Sequence, residues 1–278
     1  VSASALKRMT RSAHSYKHGG GDTETAAMAF GSLCHAALLE PDTLNDKKYA
    51  FLPQDEKGKN MVRNPKHKAY QEFLAKKGER IEVTKGDWEA AKEMALAVRK
   101  CPEIKRYLED MASDKYTEVS IFWIDLTTGL LCKCRPDLLV VPHDPEQFIT
   151  CFDLKTVKDS SMQAIQYDGE KFRKHPLAAS FYTFGLKTFF ERKVSWVLIA
   201  AEKKETAEIL TYAYEHPYHV IPIAQHGRSQ VFQCLQKVAE CEANGVWPRE
   251  HEGIRMMQPS SFLLHQMNDE QPFDSEPF

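Results

Sequence analysis

The sequence predicts an α/β fold in which helices flank a central sheet. Helical patterns fill residues 1–112, and β-branched and aromatic runs separated by turn residues fill residues 117–157. Helical patterns and a second pair of strand-like runs follow after residue 161. Strands that lie between helical segments in one chain are typical of a sheet covered by helices.

The N-terminal part is predicted to be helical. Ser2 or Ser4 is expected to cap a first short helix, because a serine oxygen can accept a hydrogen bond from the first turn. A glycine-rich break at Gly19–Gly21 separates it from a helix over Thr25–Glu40, which stops at Pro41.

An exposed polar loop is predicted over Pro53–Pro65, and two helices follow it. Thr84 and Asp87 form a capping-box pattern at the start of the second helix. The apolar side chains of that helix recur at helical spacing on one face: Trp88, Ala91, Ala95 and Val98. Pro102 opens another short helix.

The runs over residues 117–157 predict a three-stranded antiparallel meander. The elements expected after it are helices over Ser161–Phe190, strands over Val194–Ala201 and Ala207–Tyr214, and a helix over residues 217–244. Gly245 directly follows that last helix, as is typical of a helix C-cap.

These elements predict one domain over residues 1–255 and an acidic tail over residues 256–278. The domain divides into a helical part (1–112), a sheet region (113–215) and a C-terminal helix (217–244). The tail has no Lys or Arg but has four acids: Asp269, Glu270, Asp274 and Glu276. We expect it to be mobile or to dock on a neighbouring subunit or partner.

Composition excludes several classes of protein. The 278 residues carry a formal charge of −2 and an isoelectric point of about 6.6, which argues against a small basic nucleic-acid module. No run approaches the roughly 18 apolar residues of a membrane span, and no signal peptide opens the chain, so no membrane partner is expected. The seven cysteines include no CxxC pair, and we expect buried free thiols in a reducing bacterial cytoplasm.

Charged side chains are predicted to converge within the meander. Asp153 and Lys155 lie two residues apart in one strand, so they share a face. A hairpin that turns through Pro142–Gln147 brings Asp137 alongside Asp153, within about one residue of register. Two carboxylates and an ammonium therefore meet at one edge of the sheet.

Two further residues are candidates for the same site. If the preceding hairpin turns at Thr128–Gly129, residue 120 faces Asp137 and Glu118 is the diagonal neighbour of that aspartate. His35 lies in the helix predicted over Thr25–Glu40, and a lone helical histidine is more often a packing or capping residue than a ligand.

Clustered carboxylates repel one another unless a divalent cation neutralises them, and oxygen ligands favour Mg²⁺ or Mn²⁺. Such an ion activates water and stabilises charge on a phosphoryl group, and a neighbouring lysine can orient or deprotonate the water. The residues therefore favour metal-assisted phosphodiester hydrolysis over acyl transfer or redox chemistry. The alternative interpretation is an ordinary surface salt bridge on a sheet.

Three segments, in this order and spacing, resemble the exonuclease VIII (RecE-type) family: GSLCHAALLEPD from Gly31, TEVSIFWIDLTTGLLCKCRPDLLVV from Thr117, and CFDLKTV from Cys151. That family belongs to the PD-(D/E)xK nuclease superfamily, together with lambda-type exonuclease and the nuclease domain of RecBCD. The resemblance implies an α/β, restriction-endonuclease-like fold with a mixed central sheet and flanking helices.

The resemblance also implies roles for the matching residues. The metal ligands implied are His35, Glu118, Asp137, Asp153 and the backbone carbonyl of Leu154. Lys155 matches the superfamily lysine and acts in catalysis with Asp137, Asp153 and Glu118. We expect Mg²⁺ as the cofactor, with Mn²⁺ as a substitute and two ions per site.

Relatives carry a Gln-x-x-x-Tyr motif on the helix after the Asp-x-Lys strand. Tyr182 fits this motif, but Ala178 stands where the glutamine is expected, so Gln163 or Gln166 is a candidate replacement. A basic channel for DNA is expected to be lined by Arg8, Arg11, Arg135, Lys171 and Arg173.

By resemblance, the expected function is Mg²⁺-dependent, processive 5′-to-3′ digestion of linear double-stranded DNA to mononucleotides, which leaves a 3′ single strand. Relatives of phage or prophage origin form rings, so we expect a homo-oligomeric ring of three or four subunits, with a single-strand annealing protein of RecT type as partner. The alternatives are a structure- or site-specific endonuclease of the same superfamily and a catalytically silent DNA-binding scaffold.

Overall fold

The computed structural model describes residues 1–20, 25–203, 208–219 and 221–250, without the side chains of residues 172–173. The helices are α1 Ala3–Met9, α2 Ala13–His18, α3 Ala26–Leu39, α4 Lys68–Lys77, α5 Lys85–Lys100, α6 Pro102–Glu109, α7 Met162–Asp168, α8 His175–Phe190 and α9 Pro222–Asn244. The strands are β1 Tyr49–Phe51, β2 Ile81–Val83, β3 Ser113–Thr117, β4 Ile121–Ile124, β5 Leu131–Cys134, β6 Leu138–Pro142, β7 Ile149–Val157, β8 Val194–Glu202 and β9 Ile209–Glu215. The predicted acidic tail, 256–278, lies outside the described residues.

The central sheet has five strands in the order β3-β6-β7-β8-β9. β7 and β8 are parallel, and the other neighbouring pairs are antiparallel. The parallel pair requires a crossover connection, which α7 and α8 provide. The sheet is therefore mixed and flanked by helices, which confirms the predicted fold class.

Each face of the sheet is covered by its own core, because successive side chains of a strand point to opposite faces. Cys151 of β7 belongs to a core that also contains residues of α1, α8 and α9, among them Leu6 and Phe181. Phe152, the next residue, packs instead with α3, α5 and α6 on the opposite face. The central strand β7 is buried along its length except at Asp153, Lys155 and Thr156, which are half-buried.

Helix starts follow the sequence closely. The N-caps whose side chains accept a hydrogen bond from the first turn are Ser2, Ser12, Thr25, Thr84 and Ser161. The first predicted helix is in fact two, because Ser12 caps a second one. The last helix begins at Pro222, five residues after the predicted start, and it ends at Gly245 in the left-handed conformation as expected. The paired strands β1 and β2 were not predicted.

The hairpin over residues 113–142 differs from the predicted meander. The first arm contains β3 and β4 and the second contains β5 and β6, and the pairing register is the same in both halves of the hairpin. Each arm is interrupted between its two strands, so β4 and β5 form a separate two-stranded sheet. The turn is one residue earlier than predicted, because the Asp125 carboxylate accepts the Thr128 N–H at 3.0 Å. Glu118 therefore lies opposite Asp137, where residue 120 was expected.

The β4–β5 hairpin lies against α8, where a glycine permits close approach. A Cβ added to Gly185 would lie 2.4 Å from the Trp123 ring, which is far inside normal contact distance. The buried indole therefore requires glycine at this position. No helix in the described part of the chain is both long and apolar enough to cross a membrane.

Candidate active site

Two carboxylates meet where β6 begins opposite the middle of β7. Leu138 pairs with Phe152, so one step further along the strands Asp137 lies opposite Asp153. The Leu154 N–H donates to Oδ2 of Asp137 at 2.6 Å, so this side chain replaces a backbone acceptor of the sheet. This arrangement confirms the predicted juxtaposition of Asp137 and Asp153.

Glu118 joins them from the interruption in the other arm of the hairpin. Its φ of 51° lies in the left-handed region, which is uncommon for a residue with a side chain. Its N–H donates to the backbone oxygen of Asp137 at 3.2 Å. This local turn breaks the strand and directs the carboxylate towards the other acids.

His35 reaches the same place from α3, whose apolar face packs on the core beneath β7. Its Nε2 lies 2.9 Å from the backbone oxygen of Leu154. Its Nδ1 lies 3.6 Å from Oε1 of Glu118 and 3.7 Å from Oδ1 of Asp137. The histidine therefore belongs to the site, although a lone helical histidine is more often structural.

Lys155 shares the face of Asp153, as its position two residues later predicts. Its Nζ lies 2.6 Å from Oδ2 of Asp153 and 4.0 Å from Oδ2 of Asp137. It also donates to the backbone oxygen of Leu154 at 3.1 Å. In the described geometry the ammonium pairs with Asp153 and lies at the limit of ion-pair distance from Asp137.

The pKa values of the two aspartates are shifted in opposite directions. Burial, reinforced by the charge of Asp153, raises the pKa of Asp137 to about 6. Burial alone would also raise the pKa of Asp153, but the neighbouring Lys155 ammonium holds it below its usual value. The protein therefore holds one ionised carboxylate paired with lysine and one that protonates easily.

The pKa values of His35 and Glu118 are shifted so that both groups favour their charged forms. Burial acts to lower the pKa of His35, but the Glu118 and Asp137 carboxylates outweigh it and raise that pKa above the usual value. The neighbouring His35 ring lowers the pKa of Glu118 despite partial burial, and the Arg135 charge lowers it further. An imidazolium between two carboxylates accounts for both shifts.

These residues line an open cavity of about 960 Å³. Its wall also contains residues that the sequence did not single out, among them Lys48, Lys133, Thr25, Ser32 and Ser120. Lys133 could have been found from sequence, since it shares a strand face with Arg135 two residues later. Lys48 could not, because the fold alone brings it near.

The predicted DNA-contacting residues divide into two groups. Arg135 and Tyr182 line the cavity, and the Tyr182 hydroxyl donates to the backbone oxygen of Arg135 at 3.2 Å. Arg11 and Gln163 are exposed, but they do not line this cavity. Arg11 lies in the turn after α1, whose first residues Ala3 and Ser4 do line the cavity, and Gln163 lies on α7, which contributes no residue to the wall.

Other members of the predicted basic channel lie elsewhere. Arg8 and Lys171 do not line the cavity either, and the side chain of Arg173 lies outside the described residues. Ala178, at the position of the motif glutamine, is buried in α8, and Gln166 is exposed on α7.

The donor set fits a hard divalent cation. Ligand atoms of His35, Glu118 and Asp137 lie within 4.8 Å of one another, and Asp153 and the Leu154 carbonyl adjoin them. Carboxylate and carbonyl oxygens are the ligands that Mg²⁺ and Mn²⁺ prefer. The cysteine on the cavity wall, Cys134, is a buried free thiol, and burial raises its pKa to about 12, so it is not disposed to ligate the ion as a thiolate.

Comparisons with known proteins agree with this geometry. A solved structure from Eubacterium rectale, named "Putative exonuclease", is 14% identical, with a TM-score of 0.54 over 95% of this chain and 91% of that one. At this identity the likeness concerns the fold alone. A second structure, of SSO0001, is 12% identical over 74% of this chain and 93% of its own, with a TM-score of 0.28, too low to support an argument.

No curated protein matches the chain significantly. The profile of one family, described as "PDDEXK-like domain of unknown function (DUF3799)", matches residues 2–259. This match includes all of the residues that form the described sheet, the helices and the candidate site. The chain therefore belongs to the PDDEXK-like family DUF3799, within the PD-(D/E)xK nuclease superfamily.

Proposed function

We propose that this chain is a RecE-type, divalent-cation-dependent exonuclease that digests linear double-stranded DNA processively, 5′ to 3′, to mononucleotides. The observation that carries the proposal is the convergence of Glu118, Asp137, Asp153 and Lys155 with His35 in one open cavity. Neither a surface salt bridge nor a scaffold requires three carboxylates to be held together against their mutual repulsion.

The residues of the chain divide the work of hydrolysis. The Lys155 side chain, between Asp153 and Asp137, is placed to orient an attacking water as an ammonium or, as the neutral amine, to accept the proton of that water as its oxygen bonds to phosphorus. His35 holds the Leu154 carbonyl and the Glu118 carboxylate in position through its two ring nitrogens. The leaving oxygen is released as the phosphorus–oxygen bond breaks.

Mg²⁺ or Mn²⁺, when bound, supplies positive charge against the phosphate and lowers the pKa of a ligated water. Glu118, Asp137, Asp153 and the Leu154 carbonyl would hold it, with His35 beside them. Our proposal includes two ions per site.

The charge of the cavity supports a phosphodiester substrate despite the formal charge of −2 for the whole chain. Lys48, Lys133 and Arg135 line its wall around the acids. Phosphate binding requires local positive charge rather than an overall basic protein. Acids elsewhere in the chain account for the net balance, including the four in the tail.

The direct test compares DNA substrates of one sequence, linear and covalently closed circular, with Mg²⁺ and with EDTA. We expect the linear duplex alone to be degraded, and only with Mg²⁺. Asp153→Asn should abolish the activity, whereas Asp144→Asn, in an exposed turn of the same hairpin, should retain it. Equal cleavage of closed circles would favour an endonuclease, and activity of Asp153→Asn at the wild-type level would exclude this site.

Polarity, assembly and partner form a further part of the proposal. Duplexes labelled at the 5′ or the 3′ end should release the 5′ label first. Light scattering should give the mass of three or four chains, consistent with a ring, and pull-down should retain a RecT-type annealing protein in the bacterial cytoplasm. Release of the 3′ label first, or a monomeric mass, would contradict the corresponding part.

A further inference from the structure

Arg135 combines a fixed backbone with an exposed side chain. Its carbonyl accepts the hydroxyl of Tyr182 at 3.2 Å, and Pro136, with its restricted φ, follows it. Its side chain is 65% exposed, and its Nε donates to Oε2 of Glu118 at 2.8 Å. The guanidinium therefore covers the solvent side of one carboxylate in the candidate metal site.

Arg135, Lys155 and His35 each lie close to an acid of this site, and they differ in burial. Lys155 is 29% exposed and His35 is 24% exposed, and each also contacts the Leu154 carbonyl. Arg135 is more than twice as exposed as either. Of these three cations it can leave its carboxylate with the smallest change in solvation.

A divalent ion on Glu118 would meet the guanidinium as a competitor. Both carboxylate oxygens already face a cation, Oε1 the imidazole of His35 and Oε2 the guanidinium of Arg135. The guanidinium and a cation bound to the same carboxylate would repel each other strongly, because both are positive, lie within a few ångströms and are partly shielded from water. Binding of the ion and the ion pair between Arg135 and Glu118 therefore oppose each other.

We propose that Arg135 exchanges partners. It pairs with Glu118 in the metal-free protein, a divalent cation releases it, and the released guanidinium then binds a phosphate of the DNA strand in the cavity. This inference rests on the proposed function for the identity of the second partner. Metal and DNA are thereby coupled, so that each increases the affinity for the other.

The chemistry of the side chain suits this second partner. A guanidinium forms paired hydrogen bonds to phosphate as readily as to carboxylate, so the exchange replaces one anion by another of similar geometry. Lys133, two residues earlier on the same strand face, lines the same cavity without contacting Glu118 in the described structure. It provides a matched control for the loss of one positive charge.

The first experiment titrates Ca²⁺ into DNA-free protein by calorimetry. Arg135→Gln should bind the ion more tightly than wild type by about threefold or more, because the competing ion pair is gone. Arg135→Lys, which keeps the charge, should stay closer to wild type. Lys133→Gln should differ from wild type by less than about twofold, since its charge is largely screened at a distance. Circular dichroism checks that each variant is folded.

The second experiment measures binding of a fluorescein-labelled duplex by anisotropy, in EDTA and in Ca²⁺, with the DNA checked on a gel afterwards. In EDTA, Arg135→Gln should match wild type, because Glu118 already occupies the arginine. In Ca²⁺ it should bind about tenfold more weakly, having lost a charge-assisted contact. Lys133→Gln should lose affinity equally under both conditions.

The two experiments separate the possible failures. Unchanged or weaker Ca²⁺ binding by Arg135→Gln would overturn the exchange, as would an equal loss of DNA affinity with and without Ca²⁺. Absence of DNA binding by the wild type under both conditions would instead refute the proposed function. Tighter Ca²⁺ binding by Arg135→Gln would then still support the competition at Glu118.

Discussion

Asp137→Asn is expected to stabilise the metal-free protein while it removes a ligand from the proposed metal site. Burial and the charge of Asp153 raise the pKa of Asp137 to about 6, against 3.8 for an exposed aspartate. A difference of about two pKa units corresponds to about 3 kcal/mol of stability that the ionised carboxylate costs the folded protein. Asparagine removes this charge at every pH, and its amide oxygen can still accept the Leu154 N–H.

The sign of the pH dependence follows from the direction of this shift. Because the pKa of Asp137 is higher in the folded state, that state binds more protons between about pH 4 and pH 6, and its stability falls as the pH rises through this window. Above pH 6 Asp137 is ionised in both states, and the folded protein bears the full loss of stability caused by the buried charge. At pH 8, Asp137→Asn should therefore raise Tm by roughly 5–10 °C without metal, and at pH 4 the advantage should disappear.

Thermal unfolding by circular dichroism, in EDTA and in excess Mg²⁺, provides the measurement. Mg²⁺ should raise the Tm of the wild type, since a ligand that binds only the folded state stabilises it, and should leave Asp137→Asn nearly unchanged. Asp144→Asn, in an exposed turn, controls for the substitution itself. A lower Tm of Asp137→Asn in EDTA at pH 8, or an equal difference at both pH values, would refute the reasoning.

Three further changes test other parts of the fold. Gly185→Ala should lower stability by about 1–3 kcal/mol in urea unfolding, because its methyl group overlaps the Trp123 ring, and an unchanged midpoint would contradict that contact. Arg228→Ala should lower it by about 1–3 kcal/mol, because Glu215, 2% exposed, loses its cation; adding Glu215→Gln should restore part of the loss. Tyr182→Phe should lower kcat severalfold with little change in Tm, since one hydroxyl that fixes the cavity wall is lost; a fall in Tm alone would give it a purely structural role.

The sequence was sufficient for the parts of the site that are local in the chain. Asp137 and Asp153 could be placed opposite each other because a short hairpin joins them, and Lys155 followed from strand alternation. Glu118 was placed two residues from its true register, because the Asp125 side chain shortens the turn in a way that residue propensity does not reveal. An error of two residues preserves the face, so the residue was still identified.

Contacts between distant segments could not be predicted in this way. Lys48 enters the cavity wall through the packing of β1, a strand that pattern analysis missed because three residues give too short a signal. Arg11 and Gln163 were chosen for their chemistry, but Arg11 lies in the turn after α1, beyond the residues of that helix that line the cavity, and Gln163 lies on α7, which does not line it. The residue types were sufficient to predict the chemistry, but which residues line the cavity could be known only from the fold.

The contact between His35 and the Leu154 carbonyl has a consequence for folding. These residues are 119 positions apart, so the centre is complete only after one of the longer loops of the chain has closed. The hairpins that carry the acids are local and can form earlier, since nearby contacts cost less entropy. A chain whose sheet has formed before α3 docks thus has its carboxylates but lacks the imidazole that joins them. Capacity to bind the ion at full affinity should therefore appear late in refolding and report that the whole domain is assembled.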